Sequence, residues 1–422
     1  MTVKDFFLSM INFTSGCTEP AAIALNASHA SAALYDGEKI EDIHLQIDYL
    51  TYKNAYNAGI PNTLTHKGTI WSFLFGWIIR RPELELEVFK LLNEKGIEQA
   101  EKLAETINLK ISFNERSSLF IRSFVKTDQR IIATQTMDIH NSVSRKIFDR
   151  TGFRTDQLEG IITEIENGEK MEHETALSGN DYFNIEYYEP GRWVTIVDEL
   201  YADKDVRTMI GEGIGSNLNA ENVGKLEWDT SSKDLGVGSA IYARMSGKPI
   251  KVLACGKSGN KGLTSIVSTV NYCRDKGYDE EKTIKSVILA CFVNSIITIR
   301  FGFISSICGV VYGAGAGFLA SLLYLDNKLD DYHKAFLNYI SRFGGIFCDG
   351  AKVSCAVKGN TAVQAALDSR DMIGKNLTVD YHDGYLGKTF YKTLENLLLY
   401  NDALKQMDRI TVSILKNKKQ AL

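Results

Sequence analysis

The chain has 422 residues, 44% hydrophobic and 24% charged, with a net charge of −4. That balance belongs to a soluble globular protein large enough for two or three domains, and it excludes a fibrous, disordered or basic nucleic-acid-binding chain. Seven cysteines, an odd number in a chain without a leader-like start, exclude a disulfide framework; the expectation is a cytoplasmic protein whose thiols are core residues, nucleophiles or metal ligands.

In chain order, MTVKDFFLSMINF has too short an apolar run for a signal peptide, and Asp5 interrupts it. A helix is predicted over 18–35: Thr18 suits its cap, Glu19 and Pro20 its first turn, and the Ala-rich run that follows has high helix propensity. Cys17 stands just before that start. There a thiolate meets unpaired N–H groups and the positive dipole end, which predicts a lowered pKa and a candidate base or nucleophile. The alternative is a cap-region cysteine with no task. Ile43 to Tyr52 partly alternates and suggests a strand, and Pro82 to Leu109 reads as an amphipathic helix or helix pair broken near Gly96. Lys110 to Thr136 and Phe183 to Val197 are rich in β-branched and aromatic residues and read as antiparallel strands.

Beyond about residue 205 the texture is helical, with helices expected at 283–299, 330–342, 355–367 and 389–415. The fold class that follows is α+β: a mostly helical catalytic body, residues 1–80 and 205–422, carrying an inserted antiparallel α+β segment at 81–204. Phe301 to Leu325 is uncharged for 25 residues, long enough to span a bilayer. Its five glycines, its serines and the flanking Arg300 and Asp326 favour a buried core helix and no membrane partner. Its run from Gly313 to Gly317 suits close backbone packing or a tight turn beside a site.

Two features could carry chemistry. The loop CGKSGNKGLTSIVS, 255–268, includes Ser258, Gly259 and Asn260 before a helix-forming run, and such a loop presents backbone N–H groups to a carboxylate or phosphate. The second is the spacing Cys308-x39-Cys348-x6-Cys355. It fits neither a zinc knuckle nor a redox CxxC, whereas three separated thiols suit an iron–sulfur cluster with one open iron. A straight helix would hold Cys348 and Cys355 about 10 Å apart at ~1.5 Å per residue, so convergence needs the bend that Gly350 offers. Three unrelated buried cysteines remain the alternative. Cys255, Cys273 and Cys291 read as structural.

Four blocks resemble the L-cysteine desulfidase family, related to the iron–sulfur L-serine dehydratases: SGCTEPAAIAL at 15–25, YKNAYNAGIPNT at 52–63, KSGNKGL at 257–263, and the pair ISSICG and FCDGAKVSCAVK. The resemblance implies one 4Fe–4S cluster per chain, held by Cys308, Cys348 and Cys355, with Cys17 as proton acceptor that approaches the fourth iron when substrate is absent. It also implies that Ser258, Gly259 and Asn260, with Lys53 and Asn54, lie near the carboxylate and amine of a small amino-acid substrate. The implied reaction is β-elimination of L-cysteine to sulfide, pyruvate and ammonia, with the open iron as Lewis acid; L-serine dehydration is the alternative substrate choice. A homo-oligomer is compatible with the sequence but not fixed by it. The chain departs from the family at Lys261, where Gln is expected, and at HNSVS from His140, and 81–204 resembles the family only loosely. Two other readings stand beside this one: a pyridoxal-phosphate deaminase, suggested by the SGNKG loop, and a non-catalytic or electron-transfer iron–sulfur protein.

Overall fold

The computed structural model describes residues 1–63, 65–116, 118–148, 184–229 and 234–418. The middle of the expected insertion and residues 419–422 lie outside them. From the N-terminus, α1 (Val3–Met10) leads into β1 (Ile11–Ser15), α2 (Thr18–Ser31), β2 (Ile40–Asp48), α3 (Tyr49–Ala55) and α4 (Gly68–Ile79). A 3-10 stretch, Pro82–Leu91, precedes α5 (Glu94–Thr106), so the break expected near Gly96 falls at 92–93. Asn93 is the reason: its side chain caps the Gly96 N–H at 3.0 Å, which puts Gly96 inside the first turn.

Strands β3 (Leu109–Asn114), β4 (Phe120–Thr127), β5 (Ile131–Met137) and β6 (Val143–Phe148) follow. The sheet order is β3-β2-β4-β5-β6. β2 pairs with β3 in parallel and with β4 antiparallel, so the sheet is mixed, and it draws β2 from the N-terminal part of the chain. Ala22, Ile23 and Ala27 of α2 share a core with Ile43, Leu45 and Ile47 of β2 and with Ile121 and Val125 of β4.

The strand expected at 183–197 is absent over its described residues, which instead form two 3-10 turns and the start of α6 (Trp193–Ala202). Its aromatic residues serve a helical core. Trp193 is fully buried against Tyr332 and Phe390, and Tyr188 donates to the Ile296 carbonyl at 2.8 Å. Packing, not strand propensity, decides this segment.

The helical body continues with α7 (Lys204–Lys225), α8 (Val237–Met245), β7 (Lys251–Cys255), α9 (Gly259–Lys276) and α10 (Glu280–Phe301). β7 pairs antiparallel with β1. α9 and α10 pack on each other at the centre. α10 is the one helix among the described residues long and apolar enough to cross a membrane, and 83% of its apolar window is buried inside the protein. The uncharged 301–325 stretch is not one helix. It is an irregular segment to Cys308, a π-helical turn Val310–Gly315, and α11 (Ala316–Leu325), all of the last two buried. Its glycines do serve close packing, as Gly317 lies against the Ala290 backbone. α12 (Tyr332–Ile340), α13 (Cys355–Gly374), α14 (Phe390–Ala403) and α15 (Lys405–Lys416) complete the chain.

Candidate active site

Three chain segments meet at one cavity. The first is the start of α2. Its N-cap residue is Cys17 itself, not Thr18, and the Cys17 side chain makes no capping bond. The thiol instead donates to Glu19 Oε2 at 3.0 Å, and Thr18 Oγ1 donates to the same oxygen at 3.1 Å. Asn54, on α3, donates to Glu19 Oε1 at 3.1 Å. Cys17, Thr18, Glu19 and Asn54 all line the cavity.

The second is the junction of β7 and α9. Ser258 is the N-cap of α9, and Ser258, Asn260 and Lys261 line the cavity. Gly259 is buried behind them, where a Cβ would lie 2.3 Å from Arg244 Nε. Arg244, near the end of α8, also lines the cavity and donates through Nη1 to Asn260 Oδ1 at 3.0 Å.

The third carries the cysteines in two irregular segments joined to each other. The Cys308 N–H donates to the Ile346 carbonyl at 3.2 Å, the Cys348 N–H donates to the Ser306 carbonyl at 2.6 Å, and Ile307 and Phe347 form an antiparallel bridge. That short ladder brings together thiols 40 positions apart in sequence. Gly350, at φ +108, then turns the chain where a Cβ would strike the Lys53 carbonyl at 2.3 Å, so the bend needs glycine. Cys355 starts α13 at its end and points its thiol at the Gly350 carbonyl, 3.5 Å away. Cys308, Cys348 and Cys355 all line the same cavity as Cys17.

The last two helices hold these segments. Asn401 Oδ1 accepts from the Ser306 and Ile307 N–H groups at 3.1 and 3.2 Å. Asp408 Oδ2 accepts from Ser306 Oγ at 2.5 Å, and Asp408 Oδ1 accepts from Lys53 Nζ at 2.5 Å. Lys53 Nζ also donates to the Cys348 carbonyl at 2.6 Å. The Lys53 side chain is wholly buried in that pair and is not among the residues lining the cavity.

The electrostatics correct one expectation. Burial, then the Glu19 carboxylate, push the Cys17 thiol well up; Arg244 and the Glu19 backbone N–H pull the other way. The helix end does not outweigh a desolvated thiol beside an anion. Burial would push Glu19 up as well, but the His140 ring and the donors from Cys17 and Asn54 outweigh it and hold its carboxyl low. His140, from the loop between β5 and β6, is buried with Nε2 4.0 Å from Glu19 Oε1, and burial lowers its pKa despite that carboxylate. Burial brings Lys261 down to about 8, and its Nζ donates to Thr298 Oγ1 at 3.0 Å. The Cys308 thiol is pushed up to about 12 by burial first and then by Cys348 and Cys355, with Lys358 pulling the other way.

The donor set fits an iron–sulfur cluster by chemistry: three thiols from converging segments rim one cavity. Among the described residues no group of three or more His, Cys, Asp or Glu side chains closes on a single metal ion. Glu19, Arg244 and Lys261 are cavity residues that the sequence reading did not assign. Glu19 was visible as the residue after Thr18 in the first block, but nothing near Arg244 in sequence marks it.

Comparison with known proteins gives concordant relatives. The serine dehydratase alpha chain family matches residues 84–415. A UPF0597 protein of Fervidobacterium nodosum is 27% identical over 98% of this chain and 96% of its own, and one of Clostridium tetani is 28% identical over 95% and 94%. The L-cysteine desulfidase of Methanocaldococcus jannaschii is 29% identical over 96% of this chain and 94% of its own. With a match over most of its length, and the quoted blocks gathered at one cavity, this chain belongs to the serine dehydratase alpha-chain family.

Proposed function

We propose that the protein is a β-elimination lyase that converts L-cysteine to sulfide, pyruvate and ammonia at the cavity rimmed by Cys17, Cys308, Cys348 and Cys355. The observation that carries this is the convergence of those four thiols, from three distant stretches of chain, on one space. The family match and the desulfidase relative support the reaction class.

In this reading Cys308, Cys348 and Cys355 hold a 4Fe–4S cluster. When bound with one iron free of protein ligands, such a cluster supplies a Lewis acid for the substrate's heteroatoms. The chain's own residues handle the proton. Burial and the Glu19 carboxylate, to which its thiol donates at 3.0 Å, keep Cys17 protonated at rest, so it acts as a base only once the substrate's ammonium offsets that carboxylate. Arg244 favours the thiolate. Asn54 and Thr18 hold the Glu19 carboxylate in place, and His140 brings the sheet-bearing segment, 81–204, into contact with it. Ser258 and Asn260 form the wall that faces the substrate, with Gly259 behind them. Lys53 acts from behind, fixing the Cys348 carbonyl.

The test is anaerobic assay of sulfide and pyruvate release from L-cysteine and L-serine side by side, with iron quantified in the same sample. Sulfide release is expected with L-cysteine, and Cys348→Ser should lose iron and activity together. Full activity of Cys348→Ser, or turnover without iron, refutes the reading.

A further inference from the structure

We propose that Arg244 binds the substrate's α-carboxylate. The inference rests on reading the cavity as an amino-acid site. Arg244 is 2% exposed and lines the cavity beside Cys17 and Asn260. Its one hydrogen bond, from Nη1, goes to the neutral amide oxygen of Asn260, and its buried Nε has no partner. No carboxylate pairs with it among the described residues. A guanidinium keeps its charge at any pH a protein meets, and burying one without an anion is strongly unfavourable. The fork geometry of the group matches a carboxylate, which would offset that burial when substrate is present.

The other cation at the cavity is a poorer candidate. Lys261 Nζ is engaged with Thr298, and its burial favours the neutral amine. Glu19, ionised and also at the cavity, provides the opposite sign for the substrate's ammonium group. A zwitterionic α-amino acid thus finds one charged group of each kind, while an amine without a carboxylate leaves Arg244 uncompensated. The chain leaves room for this arrangement at Gly259, where any side chain would collide with Arg244 Nε.

The experiment uses the anaerobically prepared holoenzyme and titrates the unreactive L-alanine against ethylamine, which lacks the carboxylate, by calorimetry. The wild type should bind L-alanine at least tenfold more tightly. Arg244→Gln should lose L-alanine affinity and raise KM for L-cysteine on the order of 10- to 100-fold, as expected for a charge-assisted hydrogen-bonded contact, with iron content and ethylamine binding unchanged. Arg244→Lys should recover part of the loss. Equal binding of the two ligands by the wild type overturns the proposal whether or not the variants fold. So does unchanged L-alanine affinity in an iron-replete Arg244→Gln. If the wild type binds L-alanine through Arg244 yet releases no sulfide from L-cysteine, the carboxylate assignment stands and the lyase reading falls.

Discussion

Removing either partner of the Lys53–Asp408 pair should destabilise the protein far more than loss of a surface salt bridge. The two side chains are 0% and 5% exposed and 2.5 Å apart. Deleting one leaves a buried, uncompensated charge, about 3–5 kcal/mol, against about 0–1 kcal/mol for an exposed pair. Each partner also leaves an orphan. Asp408→Ala strands the Ser306 hydroxyl, and Lys53→Met strands an acceptor at the Cys348 carbonyl. The double variant Lys53→Met, Asp408→Leu removes both charges and should recover the part of the loss that comes from an uncompensated charge, while the two orphaned groups remain. Urea unfolding of the four proteins, followed anaerobically with iron per chain measured in parallel, gives the interaction directly. Iron should fall in the single variants because the pair anchors the Cys348 segment. Single-variant losses below about 1 kcal/mol, or a double variant as unstable as the sum of the singles, would refute the reasoning.

Two further outcomes follow from the same geometry. Glu19→Gln removes the anion that keeps the Cys17 thiol protonated, so its pKa should fall, and Arg244→Gln removes the opposing cation, so it should rise; the pH dependence of Cys17 alkylation in metal-free protein, read on its peptide by mass spectrometry, checks both signs, and a shift in the reverse direction sinks the account. Gly259→Ala keeps the start of α9 but crowds Arg244, with an overpacking cost of about 1–3 kcal/mol. It should copy the L-alanine binding defect of Arg244→Gln in the calorimetric titration, and normal affinity would show that Arg244 does not need that space.

Much of the site was legible where local rules set the geometry. The Glu-Pro start of α2 put Cys17 at a helix end, and the glycine at 350 signalled the turn that separates Cys348 from α13. The strands between 110 and 136 carried their own β-branched pattern. What stayed hidden depends on long-range contact. Arg244 sits in SAIYARM, where a lone arginine near a helix end reads as solvated, and only the fold buries it. Lys53 reads as a substrate contact until Asp408, 355 positions away, is seen to hold it. Burial likewise reverses the pKa expected for Cys17, because a helix end lowers a thiol pKa only if water or cations are near. The 183–197 segment misleads for the same reason: its aromatic residues look strand-like but fill a helical interior.

The clamp formed by Asn401 and Asp408 orders events during synthesis. A nascent chain exposes every one of its seven cysteines before residue 401 leaves the ribosome, and the contacts of Asn401 and Asp408 to Ser306 and Ile307 form only once the last helices have emerged and docked. An incomplete polypeptide that stops short of those helices therefore holds every sulfur yet lacks the bracing that Asn401 and Asp408 give the segment before Cys308.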